Sequence, residues 1–257
     1  MSVRSQFWGL YVREILRTFR NPFVILITVV QPFMWLAFFG SSFGNVPKSV
    51  LEGLFSTGDY IAFLLPGVLS TSMLSVGMFG SMSTIQDKRF GFMKRILITP
   101  TSKETIFLSK AFGSATRGLV QIPVMIGAAL AFGVQFTLSP IEWAGWILGL
   151  MFLALGFSGL FLAVTASSTD WQTPGVVSNF ITMPLMFASA SLFPAQQFPS
   201  WMQAIASVNP VSFSALLGRG FVLGTGIEWM NLGYLAIFAL LMLTMGFFVS
   251  AKWLRVE

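Results

Sequence analysis

Six long apolar runs divide the chain, and most charged residues lie between them. The runs cover residues 22–40, 60–85, 104–132, 140–166, 176–193 and 229–253. Each is close to the roughly 20 residues that an α-helix needs to cross a bilayer. The pattern therefore predicts an all-α membrane protein, in which six transmembrane helices form one domain over residues 1–257.

The segment before the first run, residues 1–21, interleaves apolar and basic side chains at helical spacing. Its apolar members are Phe7, Leu10, Tyr11, Ile15 and Phe19, and its basic members are Arg4, Arg13, Arg17 and Arg20. This pattern is typical of an amphipathic helix that lies in the membrane interface. The alternative is an ordinary basic leader that precedes the first span.

Three of the runs follow a serine or threonine with a glutamate three residues later. The pairs are Thr101 and Glu104, Ser139 and Glu142, and Thr225 and Glu228. In a capping box, these two side chains satisfy free backbone donors at the start of a helix. The pairs predict the starts of the third, fourth and sixth spans.

The segment between the last two runs, residues 194–228, is too apolar for a simple polar loop. Its large apolar residues include Phe198, Trp201, Met202, Ile205, Val208, Phe213, Leu216 and Leu217. Non-helical backbone at membrane depth must be shielded by protein or water. We expect this outer segment either to re-enter the membrane or to pack on the spans.

Composition and charge support a membrane location and give the orientation. Hydrophobic residues make up 55% of the chain and charged residues only 9%, against about 25% charged in soluble domains. Most of the 15 lysines and arginines lie before the first run, between the second and third, or after the last. Cytoplasmic loops are rich in such residues, so we expect both termini in the cytoplasm. The same preference for cytoplasmic lysine and arginine explains the net positive charge of the chain, so nucleic-acid binding is not needed to explain it.

Several kinds of chemistry are excluded by the residues that are missing. The chain has no cysteine and no histidine, so it has no disulfide, thiolate or histidine site. It also has no phosphate-binding loop of the form G-x-x-x-x-G-K-[ST], and no paired carboxylates within a run. We therefore expect no catalytic residue, metal site or cofactor in this chain, and no intramembrane protease or proton-driven carrier.

One arginine, Arg117, lies inside the third run. It follows Lys110 by seven residues and so lies on roughly the same helical face. Ionisable residues within spans often mark functional sites, and Arg117 could contact an anionic substrate or a lipid phosphate. Alternatively, its side chain extends to the inner interface or pairs within the bundle.

The polar hairpin between the second and third runs, residues 86–103, holds six charges and suggests a short amphipathic helix. Phe90, Met93, Ile96 and Leu97 would share one face of that helix. Asp87 would cap its start, Pro100 would end it near Thr99, and Gly91 inside it would allow another element to approach closely. We interpret the hairpin as a docking surface. The alternative is a solvated basic loop that only sets the topology of the protein.

The hairpin is similar to the signature of the type-2 ATP-binding-cassette exporter permeases. That signature is an acidic residue, Arg, a variable residue and Gly, then an apolar and basic run ending in Leu-x-x-[Thr/Ser]-Pro. Here the acid stands one position further from the arginine, with Lys88 between them. The matching residues are Asp87, Arg89, Gly91, Leu97, Thr99 and Pro100.

A second group of residues resembles the same family, and with the hairpin it extends the resemblance over nearly the whole chain. It comprises Leu192-Phe193-Pro194, Phe198-Pro199-x-Trp201, Asn209-Pro210 and Arg219, together with Gln31-Pro32 and Gly40 in the first run. Members of this family export drugs, polysaccharides or lipid-linked glycans.

The resemblance implies a permease that moves a hydrophobic or amphipathic substrate outward across a prokaryotic cytoplasmic membrane. A separate ATPase subunit would bind ATP and Mg²⁺, and a second permease chain, identical or different, would complete the complex. Residues 86–103 would be the coupling helix, with Asp87, Arg89, Gly91, Met93, Leu97, Thr99 and Pro100 as its coupling residues. The alternatives are an ATP-independent secondary carrier, a membrane-embedded transferase or a membrane scaffold.

Overall fold

A computed structural model describes residues 3–136, 138–168, 170, 172–226 and 228–253, and this part of the chain is helical with no strand. A 3₁₀ turn lies at Ala195–Gln197. The helices are α1 (Val3–Phe19), α2 (Pro22–Ser42), α3 (Lys48–Phe55), α4 (Tyr60–Arg89), α5 (Phe92–Leu97), α6 (Lys103–Leu119), α7 (Gln121–Ala131), α8 (Pro140–Ser167), α9 (Thr173–Phe187), α10 (Ser200–Ala206), α11 (Pro210–Val222) and α12 (Trp229–Trp253).

Several helices are long and apolar enough to cross a membrane, so the all-helical, multi-pass prediction is confirmed. Five stretches of the described chain qualify: Ile25–Ser42, Lys48–Arg89, Lys103–Ala131, Pro140–Ser167 and Trp229–Lys252. The predicted fifth span corresponds to α9, which has only 15 residues. The count of six spans therefore stays a prediction.

The third run forms α6 and α7, which meet at Val120. This residue keeps helical backbone angles (φ −62°, ψ −29°), and Lys103–Ala131 is one stretch long enough to span a membrane. The interruption lies three residues before Pro123, which has no N–H to donate to the carbonyl four residues earlier. The capping box predicted at Thr101 is wrong, because Ser102 precedes α6 and its Oγ accepts from the Thr105 N–H at 3.2 Å.

The other two predicted capping boxes have opposite outcomes. The box at Ser139 is confirmed, because the Glu142 carboxylate accepts from the Ser139 N–H at 2.6 Å, and Ser139 Oγ accepts from the Glu142 N–H at 3.4 Å. The box at Thr225 is wrong, because α12 begins only at Trp229, directly after Glu228.

Helix α8 lies at the centre of the bundle and packs on α4, α6, α11 and α12. Its closest crossing is with α12, where a Cβ added at Gly246 would lie 2.3 Å from the Gly159 carbonyl oxygen. Glycine therefore allows the two backbones to touch there, as small residues do between membrane helices. The side chains that α8 buries in the core include Leu150, Leu153, Phe157 and Phe161.

The outer segment packs on the spans, which was one of its two predicted arrangements. Helix α11 is largely buried against α4, α8 and α12. The Arg219 guanidinium lies 3.5 Å over the Phe63 ring and donates to the carbonyls of Phe63, Ala190 and Ser191. Asn209 begins α11 and donates to the carbonyls at the end of α9. Re-entry of this segment into the membrane stays a prediction.

Candidate functional site

The hairpin between α4 and α6 differs from its prediction, because α4 continues to Arg89. Asp87 lies in the last turn of α4, so its prediction as the cap of the next helix is wrong. Gly91 was expected inside a helix. It instead forms the turn before α5 with φ +70°, a left-handed conformation that glycine adopts without strain.

Helix α5 is held on the bundle by two of the residues predicted to share its apolar face. Met93 and Ile96 are buried against Ile106 of α6, with Leu10 of α1 packed beside them. Phe90 is not part of this face, since it is 76% exposed in the turn. The side chain of Leu97 lies outside the described residues.

The end of the hairpin follows its prediction less closely. Helix α5 ends at Leu97, earlier than the predicted end near Thr99. The Thr99 hydroxyl donates to the Ile96 carbonyl at 2.6 Å, and the Pro100 carbonyl accepts from Gln6 of α1 at 3.1 Å. Thr99 and Pro100 are both exposed.

Asp87 forms the centre of a buried ion-pair network that joins α1, α4 and α6. Its carboxylate lies 2.7 Å from Arg13, 3.2 Å from Arg17 and 2.6 Å from Lys110. Lys110 also lies 3.2 Å from Glu14. Asp87 is only 3% exposed, so its carboxylate does not face solvent. Its ion pairs link α4 to α1 and α6.

Arg13 and two further cations, Lys88 and Lys103, attach the hairpin to the rest of the bundle. The Arg13 guanidinium lies 3.6 Å over the ring of Phe92 in α5. Lys88 donates to the Thr165 and Ala166 carbonyls at the end of α8, and Lys103 donates to the Ala251 carbonyl in the last turn of α12. Cations at helix C-termini satisfy free carbonyls and oppose the helix dipole. The hairpin is thereby linked directly to α1, α8 and α12.

The outward side of the hairpin is both basic and apolar, and we call it the α5 face. Phe90 is 76% exposed and Ile98 is 77% exposed. All its members are exposed, and they are Arg89, Phe90, Lys94, Arg95 and Ile98. Exposed apolar side chains surrounded by polar ones mark binding surfaces when they form a contiguous patch.

Two neighbouring cavities lie between α2 and α4. One is lined by polar residues of α2, α4 and α7, among them Gln31, Ser72, Ser75 and Gln121. The other lies beside α1 and includes Arg117, whose side chain is 9% exposed. Arg117 therefore lies at a cavity, and its contact with an anionic substrate or a lipid phosphate stays a prediction.

Residues 5–221 match the family described as ABC-2 type transporter. The chain belongs to this family. The match includes α1, the hairpin and nearly all of α11, so it covers both groups of residues on which the sequence resemblance depends.

Relatives of the chain include proteins named as transport permeases and a nodulation protein. A putative transport permease of Pyropia yezoensis is 28% identical over 235 residues, which cover 89% of this chain and 77% of the relative. A daunorubicin resistance ABC transporter permease protein of Streptomyces coeruleorubidus is 24% identical over 225 residues, covering 85% and 77%. Nodulation protein J of Rhizobium meliloti is 26% identical over 241 residues, covering 90% and 85%.

The family and the helices together identify a multi-pass membrane permease of the ABC-2 type. Coupling roles for Asp87, Arg89, Gly91, Met93, Leu97, Thr99 and Pro100 stay predictions. Within the described ranges, no group of three or more acidic, cysteine or histidine side chains could hold a metal ion.

Proposed function

We propose that this ABC-2 permease is the membrane subunit of an ATP-driven exporter in a prokaryotic cytoplasmic membrane. A separate ATPase subunit binds ATP and Mg²⁺ and docks on the α5 face. A second permease chain completes the translocation path, and both termini lie in the cytoplasm. The substrate is hydrophobic or amphipathic and moves outward.

The α5 face is the observation that carries this proposal. Phe90 is 76% and Ile98 77% exposed, and the same hairpin exposes three cations, Arg89, Lys94 and Arg95. Aromatic residues and arginine are enriched at protein–protein interfaces, where apolar centres are surrounded by polar rims. A partner with an apolar groove and an acidic rim fits this surface.

The attachments of the hairpin explain how a partner's movement would reach the spans. The Asp87 network fixes α1, α4 and α6 to one another, and Lys88 and Lys103 hold the ends of α8 and α12. A displacement of α5 therefore acts on several long helices together. Closure of an ATPase pair would tilt these helices between two arrangements of the bundle.

The lining of the cavity between α2, α4 and α7 favours the proposal of an amphipathic substrate. Hydroxyl and amide groups lie beside apolar ones, including Pro32, Val68 and Val76. Ligand sites of this kind combine apolar walls with a few polar groups. A drug-type substrate agrees with the name of the relative from Streptomyces coeruleorubidus, which refers to daunorubicin resistance.

Photo-crosslinking tests the docking partner. We expect a photoreactive benzophenone amino acid at Phe90, in the intact membrane, to crosslink to a protein that carries a G-x-x-x-x-G-K-[ST] loop. Phe180 is the matched control, because it is 80% exposed but lies on the exposed apolar face of α9, away from the hairpin in sequence. Mass spectrometry identifies the products. The same products from both positions, or none from Phe90, would contradict the proposed docking.

Cysteine labelling tests the orientation, because the natural chain contains no cysteine. In intact cells, Ser49→Cys and Gln196→Cys should react with a membrane-impermeant maleimide, whereas Lys94→Cys should react only after the membrane is opened. All three positions are exposed in the structure, so a difference in reaction reports their side of the membrane. Labelling of Lys94→Cys in intact cells would reverse the orientation and remove the α5 face from the cytoplasm.

A further inference from the structure

Beside α1, a cavity of about 280 Å³ lies between α1, α2, α4 and α6, and it adjoins the polar cleft described above, with which it shares Thr28 and Phe79. Arg17 of α1 and Arg117 of α6 both line it. Its polar wall also contains Thr18, Ser83 and Gln86. A cavity bordered by two guanidinium groups and neutral polar groups attracts anions.

Arg117 carries a buried charge that forms no ion pair within 4 Å among the described residues. It is 9% exposed, and its Nε atom is buried with no hydrogen-bond partner among the described residues. The nearby carboxylates, Glu14 and Asp87, already form ion pairs with Arg13, Arg17 and Lys110. A buried charge without a bonded partner is costly, and an anion in the cavity would offset that cost.

The start of α2 adds to the positive character of the cavity. Asn21 lines the cavity, and α2 begins at the next residue, Pro22. The first turn of a helix carries backbone N–H groups without partners inside the helix, and it is the positive end of the helix dipole. Phosphate groups bind readily at such ends, especially where arginine supplies a full charge nearby.

The remaining wall is apolar and reaches the outer surface of the helices. Ile27 of α2 is 57% exposed and Phe79 of α4 is 40% exposed, and both line the cavity. A ligand with its charged group at Arg117 could therefore extend an apolar tail along these side chains. An amphipathic molecule fits this combination better than a free ion.

We propose that this cavity is a binding site for the phosphate headgroup of an anionic lipid. Arg117 and Arg17 hold the phosphate, and the first acyl carbons lie against Ile27 and Phe79. Arg17 also bonds Asp87 and the Gln86 amide oxygen, so a bound lipid contacts the network that positions α1. The site lies within one chain and does not depend on the proposed transport function.

The test measures thermal unfolding of the purified full-length chain in an uncharged detergent, followed by tryptophan fluorescence. The added probes are short-chain phosphatidylglycerol, short-chain phosphatidylcholine and inorganic phosphate. We expect phosphatidylglycerol to raise the unfolding temperature saturably, and phosphatidylcholine to raise it much less. An equal response of the natural chain to both lipids would overturn the site, and this comparison requires no variant.

Variants then assign the effect to the cavity. Arg117→Gln should weaken the apparent affinity for phosphatidylglycerol about tenfold or more, as expected for loss of a charge-assisted hydrogen bond. Arg117→Lys, which keeps the positive charge, should retain part of the affinity for phosphatidylglycerol. The control is Arg20→Gln, which removes an exposed charge near the same helix end but not from this cavity. Equal losses in Arg20→Gln and Arg117→Gln would reduce the effect to general surface charge and overturn the site.

Inorganic phosphate distinguishes the two sources of the phosphate group. It should raise the unfolding temperature little at the concentrations that saturate the lipid effect, because it has no tail to contact Ile27 and Phe79. An inorganic phosphate response as large as that of phosphatidylglycerol, lost in Arg117→Gln, would overturn the lipid assignment.

Discussion

Asp87→Asn should lower the thermal unfolding temperature of the purified permease sharply and reduce its yield in the membrane. The asparagine amide has almost the same shape but carries no charge, so Arg13, Arg17 and Lys110 lose their shared carboxylate. Breaking a buried ion pair by removing one partner costs about 3–5 kcal/mol, because the remaining charges are left uncompensated. Fluorescence-detected unfolding in detergent measures the change.

A matched control is available on the same helix. Asp59 precedes α4, and its carboxylate accepts from the Ile61 and Ala62 N–H groups at 2.9 and 3.1 Å. Asparagine is about as good a cap as aspartate, so Asp59→Asn should change the unfolding temperature little. If Asp87→Asn is as stable as Asp59→Asn, the network does not hold α1 on the bundle.

The spans were predictable because a membrane imposes a simple requirement on the sequence. A helix that crosses the apolar layer must be apolar over nearly its whole length. Accordingly, the runs 22–40, 140–166 and 229–253 agree within two residues with α2, α8 and α12. Run length was a weaker guide to α9, because the last residues of the predicted run form a packed turn instead of helix. Asn209, far along the chain, bonds the carbonyls at that end.

The hairpin was predicted less well because its structure depends on contacts between distant segments. An aspartate before a short amphipathic stretch is a reasonable cap. Here the cations of α1, about 70 positions earlier, and Lys110 of α6 hold Asp87 inside α4. Gly91 then turns the chain with a positive φ, and a single sequence does not distinguish this use of glycine from a close helix contact.

One feature of the sequence does indicate the Asp87 network. Glu14 is the sole acidic residue in the strongly basic segment 1–21, and the structure buries it against Lys110. A lone carboxylate within such a segment, followed by Lys110 and Arg117 on one face of a later helix, indicates a pairing between the two helices. Arg219 was noted only as part of a resemblance, and its contacts with three carbonyls could not be read from its neighbours in sequence.

The largest functional effect is expected from the α5 face. Phe90→Ser should remove an exposed aromatic anchor, and Arg89→Glu should replace attraction to an acidic rim with repulsion. Central interface residues often contribute about 2 kcal/mol or more, which corresponds to about thirtyfold weaker binding. Each variant should therefore lose co-purification of the ATPase subunit and ATP-dependent efflux. Neither side chain is buried, so the unfolding temperature and membrane yield should stay close to those of the natural permease.

Two control variants separate docking from general changes in charge and apolar surface. Phe180→Ser makes the same substitution at an equally exposed position on α9, and Lys48→Glu reverses an exposed charge on α3. Lys103→Glu does not serve this purpose, because Lys103 holds the end of α12. Both controls should retain the ATPase subunit. Full efflux by each of Phe90→Ser and Arg89→Glu would mean that the hairpin only sets the topology, since a docking surface that loses its aromatic anchor, or reverses a charge, binds its partner more weakly.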